Sequence, residues 1–126
     1  MRSNPYTQYK KVQVETSDQG ELLLMLYDGA LRFLVKGMKA LDEGDLEGCN
    51  ANLLRAQDIV FELRASLDYS AGKVAASLSG LYDYIYRLLI QANIKKDIEP
   101  LYQVEKILLE LRDAWKQSLE MISNAR

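Results

Sequence analysis

The chain has 126 residues, 48% hydrophobic and 27% charged, with a formal net charge of −2, which suits one globular domain long enough to bury a core. It has no histidine and one cysteine, Cys49. This removes the commonest general base and metal ligand, the Glu-x-x-His pairs of a di-metal bundle, zinc sites and any internal disulfide. Charges of both signs are interspersed and no apolar run nears ~20 residues, so nucleic acid, membrane insertion and an N-terminal export signal are not expected.

Residues 1–17 read as a polar tail, mobile or folded back on the domain, because neither helix nor strand periodicity persists through it. It carries Pro5, Tyr6, Tyr9 and Lys10-Lys11 and, extended, reaches roughly 50 Å at about 3.3 Å per residue. Residues 18–126 read as four amphipathic helices. Helix 1 is expected from Asp18, with Asp18 as N-cap and Glu21 three residues on, to about Leu41-Asp42. Its apolar residues from Leu22 to Val35 fan across roughly 220° of the helix surface, where a single packed face needs an arc of only about 100°. Gly29 and Gly37 inside it suggest close approach by another backbone.

Helix 2 is expected to follow the N-cap Asp45 and run to about Leu67-Asp68, with Leu46, Cys49, Leu53, Ala56, Ile59, Val60, Leu63 and Leu67 as its main stripe. A thinner second row holds Leu54 and Phe61, seven apart on one face. After a turn at Tyr69-Ser70-Ala71-Gly72, helix 3 is expected from Lys73 to Asn93. Its stripe of Val74, Leu78, Leu81, Tyr82, Ile85, Leu88, Leu89 and Ala92 is widened by Tyr86 and Ile90 to roughly 200°. Asp83 and Arg87 are placed as an i,i+4 pair. Asp97 is expected to cap helix 4, with Glu99 and Pro100 in its first turn. The helix 4 stripe runs from Leu101 through Val104, Ile107, Leu108, Leu111, Ala114 and Trp115 to Ile122, while Tyr102 and Leu109 form a separate row. The pattern is an all-α, antiparallel up-down-up-down four-helix bundle with an N-terminal tail.

No catalytic constellation emerges, and neither enzyme activity nor a cofactor is expected. Glu110, Asp113 and Glu120 read as a solvated face, and Cys49 as a small buried apolar residue. Eight tyrosines against two phenylalanines suit surfaces covered part of the time, since a tyrosine pairs a large apolar ring with a hydroxyl that tolerates water. With the wide arcs and second rows, this points to apolar grooves for an amphipathic or disordered partner. The partner-facing candidates are Leu54 and Phe61, then Leu78, Tyr82, Tyr86 and Leu89, then Tyr102 and Leu109. Helix 1 is read as the centre of the bundle, with helices 2, 3 and 4 doing the holding. A homodimer covering the same rows without a client is the competing reading.

Several stretches together resemble the flagellin-specific export chaperones of the FliS family: Asn4-Pro5-Tyr6-x-x-Tyr9, Leu24-Met25-Leu26-Tyr27-Asp28-Gly29-Ala30 with Arg32-Phe33-Leu34, Ala56-Gln57-Asp58-Ile59-Val60 with Leu63-x-x-Ser66-Leu67-Asp68, Leu81 to Arg87 with Ala92-Asn93-Ile94, and Leu111-Arg112-Asp113-Ala114-Trp115. The resemblance implies a cytoplasmic four-helix bundle that holds the disordered C-terminal segment of unpolymerised flagellin. Such a chaperone prevents early polymerisation and aids delivery to the flagellar type III export gate, with other flagellar proteins as further partners. It also implies that the N-terminal segment covers part of the groove and that Tyr6 and Tyr9 serve docking on the gate. Where the family often has Ser-Pro-Glu-Glu at the start of helix 1, this chain has Asp18-Gln19-Gly20-Glu21.

Overall fold

Each turn in the chain is fixed by a short-range polar contact, and these contacts set the helix ends in a computed structural model that describes residues 18–124. The elements are α1 (Asp18–Asp42), α2 (Leu46–Ala65), a 3-10 turn (Tyr69–Ala71), α3 (Lys73–Lys95) and α4 (Glu99–Asn124). Residues 1–17, with Tyr6 and Tyr9, and the Asp18 side chain expected to cap α1 lie outside the described residues.

Between α1 and α2, the Asp45 carboxylate accepts the Gly48 N–H at 2.9 Å, as expected of an N-cap. The α2 helix stops at Ala65, earlier than the expected Leu67-Asp68. The Asp68 carboxylate accepts the Ser70 N–H at 3.0 Å and so diverts the chain into the 3-10 turn. The α3 helix runs two residues past Asn93 and ends where Lys96 adopts φ +51°, its N–H donating to the Ala92 carbonyl. Asp97 does cap α4, accepting the Glu99 N–H at 3.0 Å.

The helices close a ring in which α1 touches α2 and α4, α3 also touches α2 and α4, and the diagonal pairs make no backbone contact. Contacts along three of the four seams run in opposite directions, which makes the fourth antiparallel as well. Gly29 meets Ile59 while Gly37 meets Leu53, and Trp115 reaches Gly20 while Arg112 reaches Asp28. Asn50 pairs with Asn93 while Arg64 pairs with Asp83. This is an antiparallel four-helix bundle.

The neighbours of α1 lie on two sides, α2 and α4, and cover by the tail lies outside the described residues. One expectation for α1 needs correction. The close approach at its glycines comes from side chains and not from backbone: a Cβ on Gly37 would stand 2.8 Å from Leu53 Cδ2, and one on Gly29 would stand 3.2 Å from Ile59 Cδ1. Leu34, Leu53, Leu63, Ile85, Leu89, Leu101 and Leu108 fill the core. Across it, the Tyr27 and Tyr82 hydroxyls hydrogen-bond to each other, joining α1 to α3 along the diagonal.

Candidate functional site

An unfilled apolar surface follows the α2–α3 seam. On the α2 side, Phe61 is 58% exposed and Leu54, two turns before it on the same face, is 46% exposed. On the α3 side, Tyr86 and Ile90 are half-buried and Ile94 is 77% exposed. These three stand at i, i+4 and i+8, so they form one line along the helix. Two polar links cross the seam. The Asn93 side-chain amide donates to Asn50 Oδ1 at 2.8 Å, and Arg64 pairs with Asp83 at 3.1 Å. Asp83 therefore bonds to α2 and not to Arg87 of its own helix. Beside Arg64 and Asp83, a pocket of about 120 Å³ is lined by Val60, Phe61, Tyr82 and Tyr86. Nearer the end of α3, Ile90 and Ile94 border a second depression of about 300 Å³ together with Arg87, Gln91 and Lys95.

The candidates picked from sequence divide into three groups. Phe61 and Tyr86 line one pocket of this groove, and Leu54 stands exposed on the same face of α2 as Phe61. Tyr82 and Leu89 are core residues: Leu89 is fully buried, and Tyr82, only 3% exposed, supplies the pocket floor. Burial holds the Tyr82 hydroxyl well above the ordinary tyrosine range, and its bond to Tyr27 adds to that. Leu78 packs half-buried against the core. Tyr102 and Leu109 are exposed on α4, away from the α2–α3 seam. Tyr102 borders an open depression with Leu88, Gln91, Gln103 and Lys106. Ile90 and Ile94 were not singled out as partner-facing from sequence, although their four-residue spacing from Tyr86 carries the signal.

The chemistry on offer is contact chemistry. Among the described residues, no group of three or more histidine, cysteine, aspartate or glutamate side chains gathers to hold a metal ion. No described helix is long and apolar enough to cross a membrane. Every buried side-chain nitrogen and oxygen among the described residues has a hydrogen-bond partner, so the core leaves no polar atom waiting for a ligand.

Comparison with known proteins finds similarity over most of the chain. Residues 2–121 match the family model described as "Flagellar protein FliS". A "Flagellar secretion chaperone FliS" from Bacillus subtilis strain 168 is 44% identical over 117 residues, covering 93% of this chain and 87% of the relative. The protein of the same description from Salmonella typhimurium is 37% identical, covering 86% of this chain and 85% of the relative. That from Escherichia coli K12 is 34% identical, covering 88% and 86%.

Proposed function

The chain belongs to the FliS family of flagellar secretion chaperones, and from that membership we propose that it acts in the cytoplasm to hold the disordered C-terminal segment of flagellin. The α2–α3 groove is the main seat of that segment. Holding it keeps flagellin from polymerising early and aids its delivery to the flagellar type III export gate. The observation that carries the reading is the wet apolar line of Leu54, Phe61, Tyr86, Ile90 and Ile94 on a bundle whose polar atoms are otherwise satisfied. A peptide with apolar residues at helical spacing fits such a groove. A disordered one can continue around the ring to Tyr102 and Leu109 on α4.

The driving force is mutual burial. Each large apolar side chain covered contributes about 1.5–3 kcal/mol, against several kcal/mol lost in ordering the client. Tyr6 and Tyr9 in the tail are proposed to serve the later contact with the export gate, so Tyr6→Ala/Tyr9→Ala should leave client affinity intact and lower flagellin secretion.

The test of the main reading is a calorimetric titration with the flagellin C-terminal segment. Binding at micromolar concentration or tighter is expected, with Phe61→Glu weakening it by about tenfold or more while the helical circular dichroism is unchanged. No binding heat from the unaltered chain overturns it. Sedimentation of the chain alone separates this reading from a homodimer, which would bury the same groove against a second copy.

A further inference from the structure

One charged cluster is not used by the groove. The Phe33 ring of α1 is half-buried, and three cations surround it. Arg32 Cζ lies 5.3 Å from its centroid, Arg55 Cζ of α2 lies at 5.6 Å and Lys36 Nζ at 5.8 Å. Attraction to the face of the ring favours each cation, while their mutual repulsion opposes the gathering. No carboxylate among the described residues stands within 4.0 Å of any of the three; the ion pairs among those residues, Arg64 with Asp83 and Arg112 with Asp28 and Asp113, involve other cations. Asp58, three residues beyond Arg55, is exposed and does not neutralise it. A guanidinium held near a ring without a carboxylate partner keeps N–H donors to offer, and their fork matches a carboxylate.

The cluster is continuous with the groove. Ala51, Leu54 and Arg55 stand at i, i+3 and i+4 on α2 and form one surface triangle, all of it exposed. Ala51 is small enough for a chain to pass over it from Leu54 to Arg55. The cluster is three charges wide on a chain of net charge −2, which fits one or two carboxylates and not a nucleic-acid backbone. We infer that the segment held in the α2–α3 groove crosses α2 at Ala51 and presents an aspartate or glutamate side chain to Arg32, Lys36 and Arg55. This rests on the client reading above and adds to it a charged anchor that fixes the register of an otherwise apolar contact.

The test titrates the full chain with the flagellin C-terminal segment at low and raised salt. The unaltered chain, Arg32→Gln/Arg55→Gln and Phe61→Glu are compared. The double variant is expected to bind roughly three- to tenfold more weakly at low salt and to lose most of the salt dependence of the unaltered chain. Its thermal melt should be unchanged. Replacing the acidic residues of the client by their amides should cost the same factor and make the client indifferent to the double variant. If the double variant keeps the affinity and salt slope of the unaltered chain while Phe61→Glu loses binding, the anchor is overturned and the groove stands. If the unaltered chain does not bind, both fall. If Glu15→Gln in the tail alone abolishes the effect of the double variant, the carboxylate belongs to the chain itself and the inference is overturned.

Discussion

The α1–α4 seam and the α2–α3 seam are built from similar helices and are closed by different contacts. Along α1–α4, the Trp115 indole N–H donates to the Gly20 carbonyl at 2.8 Å. Arg112 pairs with Asp28, and Leu119 lies so close to Gly20 that a side chain there would displace it. Along α2–α3, the polar links are exposed pairs and the apolar side chains between them remain in water. The first seam ties its two helices together with directional contacts and leaves a pocket of about 350 Å³ beside Leu24, Leu119 and Ile122. The second leaves apolar surface uncovered, and that surface is what a partner can use.

The sharpest way to break this contrast lies on α2 itself, where core and groove residues are sequence neighbours. Leu53 is fully buried and Leu54 is about half exposed. Leu53→Ala is expected to cost about 2–5 kcal/mol in urea unfolding through lost burial and the cavity left behind. The same change at Leu54 should stay within about 0.5 kcal/mol while weakening the client. Equal losses of stability at the two positions would mean that Leu54 belongs to the core and the groove is narrower than described.

Adjacent residues with such different roles also show where sequence was informative and where it was not. Periodicity gives the direction in which a side chain leaves its helix, so Leu54, Phe61, Tyr102 and Leu109 fall outside the main stripes, and all four are exposed. It says nothing of position along the axis. Leu46, Val74 and Ile122 fall in the apolar stripes, yet all three are exposed, because they stand near helix ends where the neighbouring helices no longer cover them. On α3 the wide arc holds core and groove together, and no local signal separates Tyr82 from Tyr86. What separates them is Tyr27 on α1, a partner 55 residues away. The same limit applies to Asp83, whose partner Arg64 lies on another helix while Arg87 is the one within local reach.

The Tyr27–Tyr82 bond links the groove floor to α1, and breaking it is the next largest effect expected. Tyr82→Phe or Tyr27→Phe alone leaves a buried hydroxyl without its partner, costing about 1–3 kcal/mol. The double Tyr27→Phe/Tyr82→Phe should cost less than the sum, and a double-mutant cycle measures the difference. Burial raises both hydroxyls above the ordinary tyrosine range. In the unfolded chain they ionise near pH ~10, and in the folded chain only at higher pH. Their contribution to stability is therefore complete below about pH 10 and is lost as pH rises above it. Urea midpoints at about pH 8 and about pH 10.5 should diverge more for the unaltered chain than for the double variant.

On the closed seam, Trp115→Phe removes the hydrogen bond to Gly20 and keeps most of the apolar contact. The expected loss is about 0.5–1.5 kcal/mol, read as a lower melting temperature, with no change in client affinity. A weakened client would show that the α1–α4 seam belongs to the binding surface and that the two sides are less separate than their contacts suggest.

The smallest effect is expected where the open seam is bridged. Arg64 and Asp83 form a pair whose side chains are 45% and 44% exposed, so solvent screens it and Arg64→Gln should change stability by only ~0.2–1 kcal/mol. Its position makes the substitution informative all the same. The pair lies beside the pocket that Phe61, Tyr82 and Tyr86 line, so a client side chain entering there must pass it. If the bridge only spans the groove, removing it leaves client affinity unchanged or slightly higher and speeds association, which stopped-flow fluorescence of a labelled client would record. If Arg64 instead grips the client, affinity falls by more than stability does. The α2–α3 seam would then have a charged contact at the pocket, separate from the cluster around Phe33 on α1 and α2.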